Sequence, residues 1–232
     1  MNDRGLHELS EDATGFGRAE WRTLRDSLIR PRALLETYMV EGPDGGGHYA
    51  RPLRLYLTLC GLLMLVLFLK GGTGIYLEAF PAEAIDPVIE ASGKSREGFM
   101  ADADNWMSLT MVPILLTVYA LVCAPLLRWW DPEDLGWRRA FRATFTFLNA
   151  LTILSLPLSP FAFDPVFSGY WLLFLLVASV ITFLRMGGGR WYQSWGPGLA
   201  KGVALTLAIQ IFACLGILPI IGIGLLAGLY AP

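Results

Sequence analysis

The stretch Leu55–Leu69, LYLTLCGLLMLVLFL, is apolar apart from Thr58 and is bounded by Arg54 and Lys70. At 1.5 Å per helical residue those two charges stand roughly 24 Å apart, a little short of a ~30 Å hydrocarbon core. Either both side chains snorkel toward the headgroups, or the span extends into Gly71–Leu77. A buried helix of a soluble protein is the competing reading, and four comparable runs later in the chain weigh against it. The expected fold is therefore all-α: a polytopic membrane helical bundle of about five transmembrane helices, at about 54–76, 105–127, 139–158, 166–185 and 198–230.

Composition points the same way, because 54% of the 232 residues are hydrophobic and only 16% are charged, outside the range of ordinary soluble domains. Pro113 and Pro125 interrupt the second run, which membrane helices tolerate. Trp106, Trp129 and Trp130 mark its ends, as an aromatic belt would. The last run is about 50 Å long as a straight helix, more than a bilayer requires, so a break is expected at Pro219. Either one helix crosses, kinks and continues, or a span near Val203–Leu218 is followed by a short returning piece, Ile220–Tyr230. The single crossing is preferred, since the returning piece is too short to span. The outer loop carrying AIDPVIEAS has room for a short surface helix.

Lys and Arg counts set the expected orientation. Basic residues crowd before the first span, recur as Arg128, Arg138, Arg139 and Arg142 between the second and third, and again as Arg185, Arg190 and Lys201 between the fourth and fifth. The first-to-second connection holds only Lys70, Lys94 and Arg96 among seven acidic residues, and the third-to-fourth holds no basic residue. The expected topology is N-in and C-out. Residues 1–16 read as a polar tail without the basic start and apolar run of a cleavable leader, so the first span is expected to act as its own insertion signal.

Residues 17–52 precede the bundle, 53–232. Trp21, Leu24, Leu28, Leu35 and Tyr38 recur at helical spacing, with Arg18, Arg22, Arg25, Arg30 and Arg32 mostly on the other faces. This is the layout of a cytoplasmic amphipathic helix lying in the interface, its guanidiniums near anionic headgroups. Packing of the same stripe onto the span ends or a partner protein is the equal alternative. Pro31 predicts two short helices with a corner between them. Gly42–Gly47 reads as a flexible turn, and Tyr49, Arg51 and Arg54 as the anchor at the start of the first span.

The order WRTLRDSLIRP, then ETY and a glycine, then HYARPLRLYL resembles the pre-membrane signature of a bacterial family of inner-membrane proteins, an Arg-Pro, a Tyr, and a Tyr-x-x-Pro. Arg30-Pro31, Tyr38, Gly42, Tyr49, Arg51 and Pro52 occupy those places. The five-span layout is similar to the Yip-domain superfamily, whose members are linked to membrane organisation and protein association. The specific likeness covers roughly residues 20–60. The chain departs from many members in lacking an N-terminal Cys-rich ribbon and in carrying the extra glycines Gly45–Gly47. The resemblance implies no catalytic residues.

The spans hold no Asp, Glu, His, Lys or Arg well inside them, so proton-coupled transport lacks its usual equipment. The deepest polar groups, Asn149 and Gln210, are expected to bond between helices. Gly198 and Gly202, and Gly224 and Gly228, form two Gly-x-x-x-Gly pairs expected to mark helix contacts, within this chain or with another. Cys60, Cys123 and Cys214 sit singly in apolar runs, and His7 and His48 lack ligand-spaced neighbours, so no metal or cofactor site is expected. No Gly-x-Ser-x-Gly elbow occurs. Asp131-Pro132-Glu133-Asp134 is expected to initiate the following helix. A non-enzymatic scaffold or accessory subunit is the expected function, with membrane lipids and other membrane proteins or a second copy as partners, and no nucleic acid. A small permease or lipid-handling component is the alternative, for which the prolines would line a path.

Overall fold

The computed structural model describes residues 17–133, 136–162 and 167–231. The expected polar tail 1–16, His7, Asp134 and the first residue of the expected fourth span lie outside the described residues. Among the described residues nine α-helices follow one another: α1 Arg18–Ile29, α2 Pro31–Val40, α3 Pro52–Leu69, α4 Ile75–Glu78, α5 Ala82–Ser92, α6 Arg96–Trp130, α7 Gly136–Ser155, α8 Ser168–Gly187 and α9 Trp195–Tyr230. A 3₁₀ turn, Leu156–Phe161, extends α7. Five of these segments are long and apolar enough to cross a membrane, which marks a multi-pass membrane protein.

The observed boundaries differ from the expected ones where the backbone, not the hydropathy, decides. α3 stops at Leu69 because Gly71 and Gly72 adopt positive φ, so the first span does not run on to residue 76. α6 begins at Arg96, nine residues before the apolar run, because the Ser95 hydroxyl caps it by accepting from the Gly98 amide. At 35 residues it is roughly 52 Å long, so its polar first turns project beyond the hydrocarbon. Pro219 does not break α9, which is one continuous helix of 36 residues, so the returning piece Ile220–Tyr230 is not formed. α5 occupies the place of the expected short surface helix.

α7 is the least apolar of the five spans and the most buried. It packs against α1, α2, α3, α6 and α8. In a bilayer the apolar residues can face lipid, so the polar ones must turn inward, and α7 buries Thr144, Asn149 and Thr152 at the centre. One apolar core surrounds its N-terminal half, including Leu34, Tyr38, Phe147, Phe183 and Trp191. A second joins Leu77, Ile85, Phe99, Met107 and Ile220 at the opposite end.

The α6–α9 pair holds that second end together through glycine. A Cβ on Gly224 would lie 2.5 Å from Met107 Cγ, and one on Gly228 2.6 Å from Phe99 Cε2, a side chain with no exposed surface. The helix backbones approach as closely as they do because nothing larger is present. Gly228→Ala is therefore expected to lower the unfolding midpoint in detergent, corresponding to about 1–3 kcal/mol of overpacking. Gly222→Ala, whose Cβ meets nothing within 4 Å, should leave the midpoint unchanged or raise it. Equal effects of the two substitutions would contradict this packing.

Candidate functional site

The N-terminal segment folds as a cap on one end of the bundle. α1 ends at Ile29 and α2 begins with Pro31 at its first position, where the missing amide is no loss, so the expected corner forms. The Gly42–Gly47 turn is a folded element, not an open linker. Gly42, Gly45, Gly46 and Gly47 all adopt positive φ, and the Tyr49 amide donates to the Asp44 carbonyl at 2.9 Å. A Cβ on Gly45 would lie 2.7 Å from the Tyr49 ring, so the turn also packs on the residue that follows it.

Three hydrogen bonds tie this turn to both short helices. The Tyr38 hydroxyl donates to the Ala50 carbonyl, the Ala50 amide donates to Thr23 Oγ1 at 2.9 Å, and the Tyr49 hydroxyl donates to Asp26 Oδ2 at 2.9 Å. Tyr38 meets the Tyr49 ring edge-on at 5.9 Å. Burial pushes the Asp26 carboxyl up, but the Arg25 bond at 2.9 Å, the Tyr49 hydroxyl and the Arg22 charge outweigh it and hold the group below the usual carboxylate range. Burial and the neighbouring Asp26 push the Tyr49 phenol up, which keeps it a neutral donor.

Arginines of the spans complete the cap from below. Neither α1 nor α2 has a basic residue in its own last turn, and each leaves orphan carbonyls there. Arg185 of α8 donates to the Ile29 carbonyl at 3.3 Å and Arg142 of α7 donates to the Tyr38 carbonyl at 3.1 Å, placing cations at both negative helix ends. Asn149 Nδ2 donates to the Pro52 carbonyl at 2.8 Å, fixing the start of α3 to α7.

The residues expected to anchor at the interface divide accordingly. Trp21, Arg22, Arg25, Arg30, Arg32 and Arg51 are exposed, and Arg54 lies 3.6 Å from Glu20, whereas Tyr38 is buried inside the protein. Arg22 stacks over the Tyr49 ring and Arg32 pairs with Glu36. α1 buries Thr23, Asp26 and Ser27, so its polar stripe faces the bundle and Trp21 faces away, while Leu24 of the apolar stripe packs beside Ala50, Leu55 and Leu59. The turn at Tyr49–Ala50 bonds Thr23 and Asp26, while the buried Ser27 hydroxyl has no hydrogen bond among the described residues. A clue was present in the sequence, since those three residues recur at helical spacing opposite Trp21. Asp131 does not initiate α7; it terminates α6 and pairs with Arg190, which also reaches Glu133 at 3.0 Å. Gly198 and Gly202 pack on Tyr192 and Phe183, so all four pairing glycines are used within this chain. Thr206 and Ser179 bond between α9 and α8 at 2.8 Å, while Gln210 is half-buried with no hydrogen bond among the described residues.

A second feature lies between α3 and α6. α3 packs chiefly on α7 and the 3₁₀ turn, and α6 on α9 and α7, which leaves a gap between them. A cavity of about 440 Å³ occupies it, lined by Tyr56, Cys60, Leu67, Leu116, Tyr119 and Ile217. Leu116 also lines a groove of about 600 Å³ that runs past Leu53, Leu121 and Phe145 to Arg138 and Arg142. No cluster of His, Cys, Asp or Glu able to hold a metal occurs among the described residues.

Tyr38→Phe leaves the buried Ala50 carbonyl unpaired and is expected to destabilise the protein by about 1–3 kcal/mol, read from thermal unfolding in detergent. Because the folded Asp26 carboxyl is depressed, its contribution is complete above roughly pH 4 and is lost as pH falls through the lower folded value. The difference in unfolding midpoint between wild type and Asp26→Asn should shrink toward zero below that pH, and a difference that stays constant would contradict the assignment. Comparison with protein-family models, with curated proteins and with solved structures finds no match to this chain.

Proposed function

We propose that the chain is a non-enzymatic, multi-pass protein of a bacterial inner membrane that serves as a scaffold or accessory subunit of a membrane complex, with its N-terminus inside and its C-terminus outside. The observation that carries this reading is the cap. A rigidly bonded platform presents Trp21, Ile29 and Val40 outward, at 65%, 61% and 83% exposure, in a segment that also exposes Arg30 and Arg51. Neither of those arginines has a side-chain partner among the described residues. Aromatic, aliphatic and guanidinium groups on a preorganised surface are the composition of a protein-binding hot spot, and the same arginines suit anionic headgroups around it. The likeness of Arg30-Pro31, Tyr38 and Tyr49 to the Yip-like signature agrees with an associating role. A small permease or lipid-handling role is the second reading, supported by the gap between α3 and α6.

A photo-crosslinking residue placed at Val40 in intact membranes tests the first reading. One defined protein adduct is expected, its yield cut by Arg30→Glu with Arg51→Glu. Adducts to lipid alone, with the cap still folded, would overturn it.

A further inference from the structure

We propose that the gap between α3 and α6 is a seat for one anionic glycerophospholipid, its phosphate held by Arg138 and Arg142 and one acyl chain lying in the cavity behind Leu116. The seat holds under either reading above, since it concerns the lipid and not the partner.

The order of groups along the gap matches the order of groups along such a lipid. Arg138 and Arg142 stand four residues apart on α7, on one face at the groove's rim. Arg138 is exposed and has no ion-pair or hydrogen-bond partner among the described residues. Arg142 uses one N–H on the Tyr38 carbonyl and retains further donors of its planar fork. Two adjacent guanidiniums at the polar end of an apolar groove are complementary to a phosphodiester, which accepts bidentate bonds. Basic pockets between transmembrane helices recognise acidic headgroups in this way.

Below the rim, Leu116 lines both groove and cavity and is the side chain that stands between them. Tyr119, one residue before the groove-lining Ala120, lines the cavity, and its hydroxyl has no hydrogen bond among the described residues. From Tyr56 to Leu67 the cavity follows α3 for eleven residues, roughly 16 Å, the length of much of a fatty acyl chain. Its volume of about 440 Å³ lies within the range of ligand pockets, and its wall of Leu, Met and Tyr side chains offers a chain contact on most sides. The surrounding medium supplies the occupant, because this face of the bundle stands in the bilayer.

The test uses the full chain in nanodiscs of phosphatidylcholine containing a small share of phosphatidylglycerol, with a photoreactive group on the acyl chain of one lipid or the other. Labelling by phosphatidylglycerol is expected to fall on the peptides holding Cys60–Leu67 and Leu115–Tyr119 and to exceed labelling by phosphatidylcholine. Arg138→Gln should lower it about fivefold, the effect of one cation near a headgroup, while leaving the unfolding midpoint unchanged because the side chain touches no described partner. Leu116→Trp, which places a larger side chain where groove and cavity meet, should remove Cys60–Leu67 labelling by both lipids. Equal labelling by the two headgroups that Arg138→Gln does not change would overturn the proposal, as would labelling spread evenly over all exposed spans. Neither lipid result bears on whether the cap crosslinks to a protein, so the two proposals fail separately.

Discussion

The last carbonyls of a helix need partners, and the arrangement of this molecule follows from how that demand is met at the ends of α1 and α2. Both helices are short and carry no cation in their final turns, so alone each would be marginal. Arg185 and Arg142, which belong to spans, donate to the Ile29 and Tyr38 carbonyls. The Tyr38 side chain in turn donates to the Ala50 carbonyl and Thr23 accepts from the Ala50 amide, so the chain entering α3 is fixed by the helices that precede it. Removing Tyr38 or Thr23 leaves a buried Ala50 backbone group unpaired, which ties the cap to the start of α3.

This coupling explains why the membrane part was legible in the sequence and the cap only in part. Span hydrophobicity is a local property, so Leu55–Leu69 and its four successors could be read directly, and Trp106 and Trp129 do stand exposed at the ends of the apolar run of α6. The helix boundaries were less legible, because they depend on backbone conformation at Gly71 and Gly72 and on a side-chain cap at Ser95. Pro219 shows the reverse case: the helix continues through it, and the excess length projects past the hydrocarbon instead of turning back.

The cap partners come from residues up to 156 positions apart, as with Arg185 and Ile29, and no spacing rule reports such pairs. Hydrophobic periodicity in α1 singled out Trp21, yet Trp21 is exposed and the face toward the bundle carries Thr23 and Asp26, which bond to Ala50 and Tyr49, beside Leu24. The glycine pairs were visible in sequence as contact faces, but their partners, Met107 and Phe99 on α6 and Phe183 and Tyr192 near α8, required the fold. Since these pairs are used within the chain, an associating role has to rest on the cap surface. The α3–α6 gap was not legible at all, because it arises from which helices do not pack together.

The central claim is that the N-terminal segment docks on the protein and does not float on lipid. Hydrogen exchange of the full chain tests it directly, in a neutral detergent free of anionic lipid. If the cap is bonded as described, the amides of Arg18–Val40 and of Ala50 exchange slowly, with protection comparable to that of α7. Fast exchange of those amides beside a protected α7, slowed only when anionic lipid is added, would contradict the account.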